Sequence, residues 1–272
     1  MYCKFFIKKI LILLKHTSIK FFNNFIFKNI NNIKIIPSYE GLKISSLRFS
    51  NKTRRFLYFN DPNKIGKISI DTSLLTTNLC VLGGKYKTDK SPLNLEGYRH
   101  GYTAIYSLLF GTLREKNINI AEIGIEQNSS TNMWRNFFKK ANIYLFEYEK
   151  SKILNAKKQN LKKTFYHEID SSNEKNISFS FKKIKKKFDI IIDDSTHQFE
   201  HQINIIKQTH SFLKTGGIMI IEDIYRKKYA HWKIFDEENY NLKLRNLKKN
   251  FSNIFFIDVY NSNNFDGNYK NS

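Results

Sequence analysis

Asp193-Asp194-Ser195-Thr196-His197 and Ile221-Glu222-Asp223 are the two places where this sequence gathers ionisable side chains that could share one task. Each follows a short apolar run, so each is expected at the carboxyl end of a β-strand. If those strands are neighbours joined by a right-handed crossover, their tips lie side by side and Asp194, Glu222 and Asp223 converge. Three carboxylates that close cannot all stay ionised without compensation. A divalent cation supplies it, and an all-oxygen set favours Mg²⁺ or a similar hard ion over zinc. Aspartates also cap helices through backbone N–H groups, so Asp193 stands open between capping, cofactor contact and metal binding. His197, three residues after Asp194, would sit beside the ion and accept a proton from a hydroxyl polarised there. The other six histidines read as packed or solvated residues.

The elements that must position these groups alternate along the chain. Residues 119–123 form a first strand ending at Gly124, followed by a polar loop over 126–130 and a helix from Thr131. In that helix Met133, Trp134, Phe137 and Phe138 share one face at helical spacing and read as core. A second strand over 143–146 ends in Glu147 and precedes a lysine-rich helix over 151–161. A third, over 164–167, leads into Asp170. The fourth, 188–192, is apolar enough to be buried on both faces. A helix over 199–213 returns the chain, Gly216 and Gly217 make a turn, and 218–221 form the fifth strand; a sixth is expected at 254–259. Strands alternating with helices imply an α/β fold, a Rossmann-like doubly wound and mainly parallel sheet with helices on both faces. Such sheets bind ligands beyond the carboxyl ends of their strands, where Glu122, Glu147, Asp170, Asp193, Asp194, Glu222 and Asp223 all fall.

The best boundary lies between Asp71 and Asn78, giving an N-terminal extension over 1–75 and a catalytic domain over 76–272. Short strands are expected in the extension at 44–49, 56–59 and 67–70. Residues 1–36 are basic and aromatic, and two readings stand: an amphipathic helix lying on an anionic membrane, with Phe5, Phe6, Ile10, Leu13 and Leu14 inward, or a helix packed on the domain or on a partner subunit. The apolar run 10–14 is bounded by lysines and is too short to span a bilayer or to act as a secretory signal core.

Composition narrows the classes. With 272 residues and 41% hydrophobic side chains the chain can bury a substantial core. Two cysteines, Cys3 and Cys80, are too few and too distant for a disulfide framework, which fits a cytoplasmic setting, with the inner face of the membrane as a peripheral site. The net charge of +22 alone would point to nucleic acid or an anionic surface. Lys, Asn, Ile and Phe are all over-used, however, and there are no arginine-rich tracts, C-x-x-C pairs or aromatic RNA-binding strands, so nucleic acid is not the expected partner. Self-association is left open.

Taken together, Glu122-Ile-Gly124, the run Asp193–His197, Lys214-Thr-Gly216-Gly217 and Ile221-Glu222-Asp223 resemble class I S-adenosylmethionine-dependent methyltransferases. The likeness is nearest to macrolide sugar O-methyltransferases of the mycinamicin type, whose K-Y-G-T-D-K and H-x-Y-T segments are matched by Lys85-Tyr-Lys-Thr88-Asp89-Lys90 and His100-Gly-Tyr102-Thr103. The resemblance implies that Thr88, Asp89, Lys90 and Tyr102 lie in segments closing over the cofactor. It also implies that Glu122 and Gly124 line its methionine and ribose, that Glu147 holds the ribose hydroxyls and that Asp170 meets the adenine edge; of the readings open for Asp193, cofactor contact is the one taken. By the same likeness Asp194, Glu222 and Asp223 bind Mg²⁺, His197 is the base, and the acceptor is a hydroxyl of a sugar, glycan or glycosylated small molecule. The sequence departs from the pattern after Gly124, where Ile-Glu-Gln-Asn-Ser-Ser replaces a glycine-rich loop, and at Glu147, where aspartate is usual. A basic binding protein on a degenerate methyltransferase fold is the alternative that these departures leave standing.

Overall fold

The computed structural model describes residues 33–35, 66–224, 242–244, 247–262 and 270–271. The elements, in order, are strands β1 (Ile33–Ile35) and β2 (Gly66–Asp71), helices α1 (Asn78–Lys85) and α2 (Tyr102–Phe110), then β3 (Asn119–Ile123), α3 (Ser129–Phe137), β4 (Asn142–Glu147), α4 (Lys150–Lys157), β5 (Thr164–Glu168), α5 (Glu174–Ile184), β6 (Phe188–Asp193), α6 (Phe199–Thr209), β7 (Leu213–Ile221), β8 (Phe255–Tyr260) and β9 (Lys270–Asn271).

Five parallel strands form the central sheet in the order β5-β4-β3-β6-β7. The chain runs outward from β3 through β4 to β5, then crosses back to β6, so strand order reverses between β3 and β6, where ligands bind in such sheets. Central strands β3, β4 and β6 are almost wholly buried while the edges β5 and β7 are not. Alternation sorts their side chains. Ile120, Ile143, Leu145, Ile190 and Ile192 face the cluster built by α2 and α3 around Phe110, Trp134 and Phe138. Ala121, Ile123, Tyr144, Phe146 and Ile191 face α5 and α6 through Ile177, Phe181 and Ile205. Helix α5 shows why the local sequence folds as it does: Asn173 accepts from the N–H groups of Lys175 and Asn176, Glu174 lies in the first turn and Lys182 and Lys183 in the last.

Two expectations are corrected. Gly216 and Gly217 lie inside β7, where pairing with β6 slips between Phe188↔Leu213 and Ile190↔Ile218. Gly216 has φ +77°, which lets the strand bulge instead of turning, and a Cβ on Gly217 would meet Leu213 Cγ at 2.9 Å. The expected sixth strand exists as β8 but belongs to a second sheet, ordered β1-β2-β8-β9. There β2, from the expected extension, pairs in parallel with β8 from Gly66↔Phe255 to Asp71↔Tyr260. The strands expected at 44–49 and 56–59, and the amphipathic pattern of residues 5–14, lie outside the described residues. Among the described residues no helix is long and apolar enough to cross a membrane, and Cys80 is a buried free thiol.

Candidate functional site

Register brings the sheet's tips level. Ile123 pairs with Phe146 on one side and Asp193 on the other, and Asp193 with Ile221, so the residues after each strand end abreast. The ladder continues one step further: Gly124 N–H donates to Phe146 O, Asp194 N–H to Ile123 O, and Glu222 N–H to Asp193 O, each at 2.8 to 2.9 Å.

Three carboxylates then gather around one buried ammonium, with Asp223 beside them. Lys90, 1% exposed, donates to Asp194 Oδ2 and to Glu222 Oε2 (2.7 Å) and stands 3.9 Å from Glu122 Oε1. Tyr106 O–H donates to Glu222 Oε1 and Tyr102 O–H to Asp223 Oδ1, each at 2.5 Å. His197 Nε2 lies 3.9 Å from Asp194 Oδ1 and 3.7 Å from Asp223 Oδ2. Asp194, His197 and Asp223 present ligand atoms within 4.8 Å of one another. Both His197 (φ +56°) and Asp223 (φ +51°) hold left-handed backbone conformations, which histidine and aspartate adopt more readily than most residues.

One lysine does not balance this charge. Burial pushes the Glu122 carboxyl up to about 7, against the lowering by Lys90, and pushes Asp194 and Glu222 upward as well. Lys90 itself is raised well above an ordinary lysine: burial lowers it, and Asp194, Glu222 and Glu122 together outweigh that. Protonated carboxyls are therefore favoured in the cluster over a full set of negative charges.

The expected site residues divide. Asp194, Asp223 and His197 come together; Glu222 adjoins them with its two oxygens engaged by Lys90 and Tyr106. Lys90 and Tyr102, expected over the cofactor, direct their polar ends at the acids. Thr88 is buried and donates to the exposed Asp89 at 3.4 Å. Glu122 is fully buried, accepting from Trp134 Nε1 and Ser130 Oγ at 3.0 Å each. Glu147 accepts from the backbone N–H groups of Ile125, Tyr148 and Glu149, fixing its carboxylate at the tip of β4. Asp170 accepts from Ser172 through both N–H and hydroxyl. Asp193 Oδ1 accepts from Ser195, whereas its buried Oδ2 has no hydrogen-bond partner among the described residues; burial raises this carboxyl to about 6. Gly124 (φ +93°) lies so close to the β6 loop that a Cβ there would sit 2.0 Å from Asp194 O.

Sequence reasoning overlooked Tyr106, although its spacing of four from Tyr102 puts both hydroxyls on one face of α2. It also took Trp134 for plain core, although an indole N–H seeks an acceptor when buried. Beside Glu222, Asp223 and Tyr102 opens a cavity of about 650 Å³ between β7 and β8, walled by Ile218, Ile220 and Phe256. A shallow depression over Ser151 and Leu154 lies instead on α4.

A family model described as a methyltransferase domain matches residues 126–264. The 8-demethyl-8-(2-methoxy-alpha-L-rhamnosyl)-tetracenomycin-C 3'-O-methyltransferase of Streptomyces olivaceus is 27% identical over 138 residues, 47% of this chain and 33% of that protein. Mycinamicin VI 2''-O-methyltransferase of Micromonospora griseorubida is 24% identical over 166 residues, 57% of this chain and 37% of that protein. The match thus spans about a third of the length of these relatives. A solved structure of the MycE methyltransferase of the mycinamycin biosynthetic pathway, in complex with Mg and SAH, is alike in fold: 20% identity, TM-score 0.50, covering 60% of this chain and 41% of that one.

Proposed function

The chain belongs to the methyltransferase-domain family, and from that premise we propose that it transfers a methyl group from S-adenosylmethionine to a hydroxyl of a sugar or glycosylated small molecule, assisted by Mg²⁺. The observation that carries the reading is the convergence of Asp194, His197 and Asp223 at the tips of β6 and β7, beside the loop that follows β3. The sugar O-methyltransferases among the relatives support the acceptor class.

The residues present fit both groups. At the switch point the buried, unpartnered Asp193 Oδ2 suits a donor on the cofactor, and Glu147, already fixed by three N–H groups, retains a lone pair on Oε2 for a hydroxyl. S-adenosylmethionine, when bound, supplies an electrophilic methyl on its sulfonium. Asp194 and Asp223 would hold Mg²⁺, which prefers one or two protein carboxylates with water completing its shell, and the surplus negative charge of the cluster favours it. Glu222 would join them by exchanging its contact with Lys90. When bound, the ion lowers the pKa of an acceptor hydroxyl. His197, whose Nε2 lies less than 4 Å from Asp194 and Asp223, would receive the proton. The cavity between β7 and β8 gives the rest of the acceptor an apolar bed.

Calorimetry with S-adenosylhomocysteine, followed by mass spectrometry of a panel of glycosylated small molecules with and without Mg²⁺, tests the reading. A gain of one methyl that depends on the ion is the expected result. Absence of cofactor binding would overturn it.

A further inference from the structure

Left-handed backbone recurs at every second residue of the loop after β3: Gly124 (φ +93°), Glu126 (φ +41°) and Asn128 (φ +66°). Nucleotide-binding turns place glycines in such loops because glycine adopts these angles freely and lets a ligand approach the main chain. Here two of the three positions carry side chains, and each side chain is anchored. Asn128, 1% exposed, points inward; its Nδ2 donates to Gln159 Oε1 at 2.9 Å and to the Tyr166 hydroxyl at 3.1 Å. Asparagine tolerates the left-handed region, so this substitution retains the glycine-like path. Glutamate tolerates it less well, and Glu126 is turned outward instead. Its Oε2 accepts from Lys152 Nζ at 2.9 Å, and the same ammonium holds Glu149 Oε1 at 2.9 Å. Lys152 thereby ties the loop after β3 to the loop after β4, on either side of Glu147.

We propose that Lys152 is a positioning residue for cofactor binding: by drawing the Glu126 carboxylate onto α4 it keeps a side chain that occupies a glycine position out of the space the ligand enters. The proposal rests on the S-adenosylmethionine reading above. Without Lys152 the Glu126 side chain is free to sample rotamers over the loop. With glycine at 126 there is nothing to hold aside, and Lys152 becomes dispensable.

Calorimetric titration of S-adenosylhomocysteine into the full-length parent, Lys152→Met, Glu126→Gly and the double variant decides the matter. Lys152→Met is expected to weaken binding roughly three- to tenfold, the scale of one partly exposed ion pair and the obstruction it prevents. Glu126→Gly should bind at least as tightly as the parent, and the double variant should match Glu126→Gly. The gap between parent and Lys152→Met should narrow at high salt, which screens an exposed pair. Equal affinity of Lys152→Met and parent would overturn the proposal. So would a loss of affinity in Glu126→Gly, which would make Glu126 a ligand contact, or a double variant as weak as Lys152→Met, which would make Lys152 act on its own. A parent that binds nothing removes the cofactor reading and this proposal with it, a result distinct from the other three.

Discussion

Replacing Lys90 with methionine keeps an unbranched side chain, one heavy atom shorter, and removes its charge and donors. In the parent that ammonium is buried among Asp194, Glu222 and Glu122, which come from the ends of three different strands. Removing one partner of a buried ion pair costs about 3–5 kcal/mol, because the charges left behind are neither solvated nor paired. For a chain of this size each kcal/mol moves the unfolding midpoint by roughly 2–4 °C, so Lys90→Met should lower it by roughly 6–20 °C. The loss should be largest near pH 8 and smaller near pH 5, where the orphaned carboxyls take up protons. Mg²⁺ should restore part of it if the cluster accepts a divalent cation. Thermal unfolding followed by circular dichroism across that pH range, with exposed Lys140→Met as control, measures each quantity. A Lys90→Met midpoint within 2 °C of the parent at pH 8 would refute the view that this lysine compensates the acids, since about 1 kcal/mol or less is what a surface substitution gives.

Gly124→Ala should be more disruptive than its one added carbon suggests, because its Cβ would stand 2.0 Å from Asp194 O at a left-handed φ; a drop in S-adenosylhomocysteine affinity together with a lower midpoint is expected, and unchanged values of both would contradict the close approach. The parent should lose stability as pH rises from about 5 to 7.5: Glu122 (about 7) and Asp193 (about 6) bind protons in the folded chain that the unfolded chain has released at those pH values. Denaturant titrations at pH 5, 6.5 and 8 check the sign, and a rise in stability over that window would contradict it. Once an acceptor is found, His197→Ala should cut turnover by about two to four orders of magnitude with cofactor affinity unchanged; a variant as fast as the parent removes His197 from the mechanism.

Much of the central sheet was legible from the sequence. Strands buried on both faces are written as short apolar runs, and the runs at 119–123, 143–146 and 188–192 fall within one residue of β3, β4 and β6. The tips carrying Asp194, Glu222 and Asp223 were legible for the same reason, since an apolar strand gives way to polar side chains where it stops. Edges were harder. The Gly216-Gly217 pair signals a departure from regular backbone, but a turn and a bulge both ask for a glycine with positive φ, and only pairing against β6 decides between them.

What the sequence by itself determined was the order of elements and the identity of the acids at their ends, because period and polarity are local properties. Which charges neutralise one another was decided by the tertiary structure alone. Lys90 sits 104 and 132 residues from its hydrogen-bonded partners Asp194 and Glu222, on a loop whose own sequence says nothing of where its ammonium ends. The second sheet depends likewise on β2 meeting β8 across most of the chain. Such long-range pairings arise because burying a charge or a strand edge is tolerable only when a partner is brought to it, and that partner is set by how the whole chain packs.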